Sequence, residues 1–234
     1  MSRTIAFFDF DGTITTKDTL LEFIKYGKGS FRFYTGFLLN SPWLIAYRLK
    51  IISNQAAKER ILTWFFGNYP VTAFRELCDR FAAEIIPGLL RPKALQEIAL
   101  LRQKGAAVVI VSASPANWLQ GWADSIQAAL LATRLETTTP ASAPKAITSG
   151  TESTPGAATT ASPGTGPTPV APTPGVPRLT GRILGLNCYG KEKVRRIQEA
   201  YTLSDYDEIY TYGDTSGDKP MLGLGTHAFY KPFR

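Results

Sequence analysis

Histidine is almost absent from this 234-residue chain: His227 stands alone. A single histidine excludes a multi-histidine metal centre and any catalytic scheme that needs two imidazoles. Its position suits a residue in a C-terminal strand. Cysteine is nearly as scarce. Cys78 and Cys188 lie far apart, which leaves no disulfide framework and no zinc-ligand spacing and fits a reducing cytoplasm. Long apolar runs are missing too. The first, Ile5 to Phe8, gives way to Asp9 and Asp11, so no signal peptide is expected. The nearest approach to a membrane span, Phe33 to Leu49, is broken by Asn40-Ser41-Pro42 and by Arg48, so no transmembrane helix is expected either. Acid is lacking from one region above all. Residues 25–60 hold Lys25, Lys28, Arg32, Arg48, Lys50, Lys58 and Arg60 against Glu59 alone, which is +6 of the net +7. A basic region attracts nucleic acid, a membrane surface or an acidic substrate. No nucleic-acid motif accompanies this one, so a nucleic-acid partner is not expected.

What is present describes a globular chain with a real core. Hydrophobic residues make up 44% and charged residues 19%, enough for a large core or a core plus a smaller lobe. Thr4 to Asp9 reads as a buried strand. Residues 17–86 read as wholly helical, from the apolar spacing of Leu20-Leu21-Phe23-Ile24, Ile61-Leu62-Phe65-Phe66 and Phe74-Leu77-Phe81. Pro87-Gly88 closes that block. Strands and helices then alternate. The helices are Arg91 to Lys104, Ala116 to Gln127, Lys191 to Tyr201 and Lys219 to Leu224. The strands are Ala106 to Val111 ending in Ser112, Leu130 to Glu136, Arg178 to Asn187, Glu208 to Tyr212 and His227 to Tyr230. Such alternation implies a mainly parallel sheet covered on both faces, with its ligand site beyond the carboxyl ends of the strands. Asp9, Ser112 and Asp214 fall at such ends. The expected division is a core of residues 1–16 and 87–234, a helical cap of 17–86, and an insertion at 137–177. That insertion is Thr, Pro, Ala, Gly and Ser except for five of its 41 residues, a composition that cannot bury a core and reads as disordered.

Four separated stretches carry chemistry. Asp9-Phe10-Asp11-Gly12-Thr13 places two acids two apart, on one face of an extended chain. Burying two like charges calls for a cation or a proton. The bland reading is a solvated strand end. Val109-Ile110-Val111-Ser112-Ala113-Ser114 ends a hydrophobic strand in a hydroxyl, Ser112, which could equally cap the following helix. Cys188-Tyr189-Gly190-Lys191-Glu192-Lys193 puts Lys193 at a helix start, where it could be one more solvated lysine. Gly213-Asp214-Thr215-Ser216-Gly217-Asp218 has two acids past a strand, which could be turn formers.

In order and placement, these stretches together resemble the motifs of the haloacid dehalogenase superfamily. The helical block after the first motif and the Cys-x-Gly-x-Glu-Lys-Val form of the third resemble its phosphoserine-phosphatase-like branch, subfamily IB. The resemblance implies an α/β, Rossmann-like core with an inserted all-helical cap, and a phosphatase that uses Mg²⁺. It implies that Asp9 is the nucleophile forming an aspartyl-phosphate. It makes Asp11 the proton carrier, and Ser112 and Lys193 the holders of phosphoryl oxygens. Asp9, Asp214 and the backbone carbonyl of Asp11 are its implied metal ligands, with Asp218 supporting that site or orienting Lys193. The fourth motif departs from the Gly-Asp-Gly-x-Asn-Asp usual in serine phosphatases, though both acids keep their spacing.

Three functional classes follow. One is a phosphatase acting on a lipid headgroup phosphate such as phosphatidylglycerophosphate, cytoplasmic and peripheral at the inner face of the membrane. Aromatic residues of the cap beside basic ones suit contact with an anionic interface, and resemble the apolar cap of bacterial phosphatidylglycerophosphate phosphatases of the same branch. The bland reading is an ordinary cap core. The second is a phosphatase for phosphoserine or another small soluble phosphomonoester, with Asp18 meeting an ammonium and Arg60 a carboxylate. Asp18 could instead cap the first cap helix. The third is a phosphate-binding pseudo-enzyme, against which the intact set of acids argues.

Overall fold

The computed structural model describes residues 3–138 and 175–234. Strand β1, Thr4–Phe8, is followed by a tight turn over Phe10–Ile14. The helices α1 (Thr19–Leu39), α2 (Ser41–Arg48), α3 (Asn54–Phe66) and α4 (Val71–Glu84) come next. The short α5 (Ile86–Leu89) leads into α6 (Pro92–Gln103), β2 (Ala107–Pro115), α7 (Ala116–Ser125), β3 (Ala129–Thr133) and β4 (Leu135–Thr137). After the undescribed residues come β5 (Leu179–Ile183), α8 (Lys191–Ala200), β6 (Glu208–Gly213), α9 (Lys219–Leu222) and β7 (His227–Tyr230).

The main sheet has the order β3-β2-β1-β6-β7, and all its pairings are parallel. β1 lies at its centre, which is why Ile5, Ala6, Phe7 and Phe8 are all buried. Side chains alternate between the faces. Ile5 and Phe7 pack with Val109, Val111, Ile197 and Met221, under α8 and α9. Ala6 and Phe8 join the larger core built with α6, α7 and the cap helices. A strand covered on both faces reads as an unbroken apolar run. The order reverses at β1, so the chain leaves β1, β2 and β6 side by side at one edge, where a crevice forms in sheets of this kind.

Three expectations change. Leu130 to Glu136 is two strands, not one. β3 pairs with β2 as far as Thr133, and Leu135 then pairs antiparallel with Ile183 in a separate two-stranded sheet. Arg178 to Asn187 keeps strand geometry only as far as Ile183, because Gly185 takes a positive φ of 77° and turns the chain toward α8. Thr137 and Leu179 are paired, so the strand reaches into the expected insertion; of that segment, residues 139–174 lie outside the described residues.

The β4–β5 hairpin is clasped by α3. The Ile183 N–H donates to Glu59 Oε1 at 3.1 Å, and a Cβ on Gly181 would lie 2.4 Å from the Thr63 backbone. Gly29, with φ 78° and ψ 160°, breaks α1 into two rods.

The α8 helix is tied to the sheet through Arg196, which Glu192 holds in place. Arg195 donates to Glu192 at 2.6 and 2.7 Å and Arg196 at 2.8 Å. Arg196 also donates to the carbonyls of Ala132 and Leu186, both at 2.6 Å. The Arg195 hydrogen bonds, joined by Arg196 and opposed by burial, hold the Glu192 carboxyl down at about 2. A depressed acid contributes stability above its unfolded pKa, and that contribution is lost as pH falls through the folded value. Glu192→Gln is therefore expected to cost about 1–2 kcal/mol at pH 7, allowing for the exposure of Arg195. The deficit closes as the pH is lowered from about 4.5 toward 2. Urea unfolding midpoints of both proteins across that range check it; a deficit independent of pH would sink the charge explanation.

Candidate active site

The site grows from the point where β1 ends. The Asp9 N–H donates to the Tyr212 carbonyl at 2.9 Å, which holds Asp9 against the end of β6. Its Oδ1 accepts from Lys193 Nζ at 2.6 Å, and its Oδ2 from Thr13 Oγ1 at 3.0 Å. Lys193, in the first turn of α8, is only 1% exposed and donates also to Asp218 Oδ1 at 2.7 Å. The other Asp218 oxygen accepts from the N–H groups of Asp214 and Thr215 and from Thr215 Oγ1, at 3.2, 2.9 and 2.7 Å. Asp218 therefore has its oxygens committed: it folds the loop after β6 and aims Lys193.

Asp9, Asp214 and Asp218 bring carboxylate oxygens within 4.8 Å of one another. Lys193 neutralises one charge of the three, and Arg234 pairs with Asp214 Oδ2. The second oxygen, Asp214 Oδ1, is buried with no hydrogen-bond partner among the described residues. Burial pushes the Asp9 carboxyl up to about 7; Lys193 opposes the rise, and Asp218 and Asp11 add to it. Burial raises Asp214 as well, with Asp218 adding to it. For Lys193, burial alone would lower the value, but Asp9 and Asp218 outweigh it and hold the ammonium form. An orphaned buried oxygen beside crowded carboxylates is the donor set that a hard divalent cation takes. Asp9 and Asp214 fit Mg²⁺, and Asp218, saturated by its own donors, sits behind them.

Gly12 makes the close approach possible. Its φ is 81°, and a Cβ there would stand 2.4 Å from Asp214 Oδ2. Only glycine satisfies both the turn and the space.

Asp11 is turned to different partners from Asp9. Its Oδ1 accepts from the N–H and Oγ1 of Thr19 at 2.7 and 2.6 Å. Its Oδ2 accepts from Ser114 Oγ at 2.7 Å and Ser112 Oγ at 3.3 Å. The two-residue alternation of a strand fails here because the chain leaves strand geometry after Phe8. Ser112 is not at a strand end, as the sequence suggests. β2 continues to Pro115 through a register shift, and within it Ser112 Oγ accepts from the Ser114 N–H at 3.0 Å. Thr19 and Ser114 are partners that the sequence reading missed. Thr19 opens α1 directly after the Asp18 cap, a weak signal that could have drawn attention to it.

The cap contributes Lys58, also missed. Its ammonium donates to the Ala113 carbonyl at 2.9 Å and to Asn187 Oδ1 at 3.4 Å. Burial lowers its pKa, opposed by Asp18 and Asp11. Its place beside Ala57 and Ile61 on the inner face of α3 was legible from helical spacing. Asp18 caps α1, accepting from the Leu21 N–H at 3.1 Å. Arg60 is committed to the cap itself: it donates to Asn40 Oδ1 at 3.2 Å and lies over the Trp43 ring at 5.2 Å.

Comparison with known proteins follows the same lines. The family model of haloacid dehalogenase-like hydrolases matches residues 6–150 and 168–223. Protein CicA of Caulobacter vibrioides is 32% identical over 228 residues, which cover 97% of this chain and 85% of that protein. A Bordetella pertussis Tohama I protein of unknown function superposes with a TM-score of 0.70 at 19% identity, covering 97% of this chain and 88% of the other. A phosphoserine phosphatase structure, described as a phospho-aspartyl intermediate analogue, superposes with a TM-score of 0.56 at 13% identity, covering 96% and 84%. At these identities the two structures share the fold with this chain.

Proposed function

Because the chain belongs to the haloacid dehalogenase-like hydrolases, we propose that it is a Mg²⁺-dependent phosphatase working through an aspartyl-phosphate on Asp9. The observation that carries this reading is the buried Asp9–Lys193–Asp218 chain beside the open oxygen of Asp214. Asp9 Oδ attacks phosphorus, the bond from phosphorus to the ester oxygen breaks, and Asp11 gives its proton to the departing alkoxide. Asp11, now ionised, takes a proton from water as that water attacks phosphorus. Inorganic phosphate leaves and Asp9 is restored. Lys193 and Ser112 hold phosphoryl oxygens through the transfer. Asp9, Asp214 and the backbone carbonyl of Asp11 would hold Mg²⁺, which would supply the charge that lets an anionic nucleophile approach a phosphate dianion.

For the substrate, a phosphate monoester on a lipid headgroup is favoured over phosphoserine. The guanidinium that the phosphoserine reading needs, Arg60, is engaged with Asn40 and Trp43. Among the described residues no helix is long and apolar enough to cross a membrane; the proposed enzyme meets its lipid as a peripheral protein at the inner face of the membrane.

The test is phosphate release from p-nitrophenyl phosphate, phosphoserine and phosphatidylglycerophosphate, with Mg²⁺ and with chelator. Mg²⁺-dependent turnover, fastest on the lipid by about tenfold or more, is the expected result. Release from none of them would overturn the phosphatase; preference for phosphoserine would overturn only the lipid.

A further inference from the structure

From the surface of the cap we infer that the outer half of α1 and α2 form a docking hairpin for an anionic lipid bilayer. Nine of the seventeen large hydrophobic residues exposed among the described residues lie between 31 and 51. They are not marginal: Phe31 is 81% exposed, Leu38 73% and Ile51 72%. Scattered exposed apolar residues need no explanation, but a contiguous group of this size does.

The hairpin has two distinct sides. On α1, Phe33, Gly36 and Phe37, with Asn40 just past its end, face inward, where Gly36 meets the Phe65 ring so closely that a Cβ would stand 2.4 Å away. Phe31, Tyr34 and Leu38 recur at helical spacing on the opposite side, and all three are exposed. No residue of α2 is fully buried. The mount is nonetheless firm. Asn40 is buried, donates to the Gly36 carbonyl at 2.8 Å, and accepts from Arg60, which also lies over Trp43. The exposed rings are therefore held outward on a supported frame and are not loose ends of a poor core.

Charge selects the occupant. From Phe23 to Lys58 the sequence holds no Asp or Glu. Lys25, Arg32, Arg48 and Lys50 are exposed along this stretch. An apolar face whose own segment carries cations and no acid matches a bilayer with anionic headgroups: the rings enter the acyl boundary and the cations stay at headgroup level. A second copy of this chain would set like charges against each other. One helix joins the two functions, since α3 reaches the catalytic end with Lys58 and carries the hairpin with Arg60. The inference deepens the lipid-phosphate reading and rests on it for its purpose, but the contact is measurable without turnover.

The experiment is vesicle flotation of the full chain. Vesicles of phosphatidylcholine with about 30% phosphatidylglycerol are compared with phosphatidylcholine alone, at about 0.1 M and about 0.5 M salt. Binding to the anionic vesicles, weakened by salt and at least about tenfold weaker on neutral ones, is expected. The triple variant Phe31→Ser, Leu38→Ser, Ile45→Ser should lose at least about tenfold in binding. Its circular dichroism and its hydrolysis of p-nitrophenyl phosphate should match wild type, because all three side chains are exposed. The Asp9→Asn protein should bind as wild type does, which separates failure of docking from failure of the phosphatase. Absence of anionic-vesicle binding, or equal binding by the triple variant, would overturn the inference. So would a dimer, seen by light scattering, that the triple variant abolishes while no vesicle binds.

Discussion

Replacing Asp9 by asparagine will lower phosphate release by at least about a thousandfold, equivalent to about 4 kcal/mol of barrier. Asparagine keeps the shape of aspartate: its Oδ1 can still accept from Lys193 while its amide N–H donates to Thr13 Oγ1, but the amide is not a competent nucleophile toward phosphorus. The fold should survive. The substitution removes one of three crowded buried acids, and Lys193 keeps its partner Asp218 at 2.7 Å. Relief of like-charge crowding offsets the weakened pair, so the urea midpoint should move little. Steady-state release from p-nitrophenyl phosphate and a denaturation curve on the same preparation test both halves. Turnover persisting within about tenfold of wild type would remove Asp9 from the nucleophile's place. Lost activity with a collapsed midpoint would show instead that Asp9 is mainly structural.

The largest effect on stability is expected at Lys193. Lys193→Ala leaves Asp9 and Asp218 buried without the cation they share, a loss of about 3–5 kcal/mol at neutral pH. The sign of its pH dependence follows from linkage. Asp9 already lies at about 7 with Lys193 in place, and removing the ammonium raises it further. An acid with a raised folded pKa weakens folding above its unfolded value, most fully above the folded one. The deficit of the variant should therefore be greatest above pH 7 and shrink as the solution is made acidic. Lys193→Met with Asp218→Asn should recover part of the loss, because one uncompensated charge leaves with the cation. Denaturant midpoints between pH 5 and 8 (the usual working range, about three units) read both effects. A deficit that neither acid nor the second substitution reduces would make Lys193 a packing residue, not an electrostatic one.

How far the site could be read from the chain differs from residue to residue. Asp9, Asp214 and Asp218 stand in short motifs beside apolar strands, and the structure brings their carboxylates together. Lys193 was legible only through its helix start, and its burial was not. Thr19 and Lys58 carry no motif, and Ser114 stands in the second one without a role that the sequence assigns it. Thr19 meets Asp11 only eight residues away, where the chain turns out of β1, but Ser114 reaches Asp11 across 103 residues and Lys58 reaches Ala113 across 55. No local pattern encodes such a pairing. Arg60 shows the converse. Its type and rough position suited a substrate contact, but two residues along α3 from Lys58 is slightly more than a half-turn, which points it to the other side of the helix.

Local chemistry by itself determined the strand-and-helix alternation, the parallel sheet and the family, because apolar periodicity and strand-end acids are properties of neighbouring residues. The split of Leu130 to Glu136 between two sheets, the extension of β2 through Ser112, and the division of partners between Asp9 and Asp11 were decided in three dimensions. Each depends on which distant strand or helix is near enough to take a hydrogen bond. The same holds for the cap. The sequence shows aromatic and basic residues from 31 to 51, but which rings face Phe65 and which face solvent follows from the fit of Gly36 and Asn40 against α3.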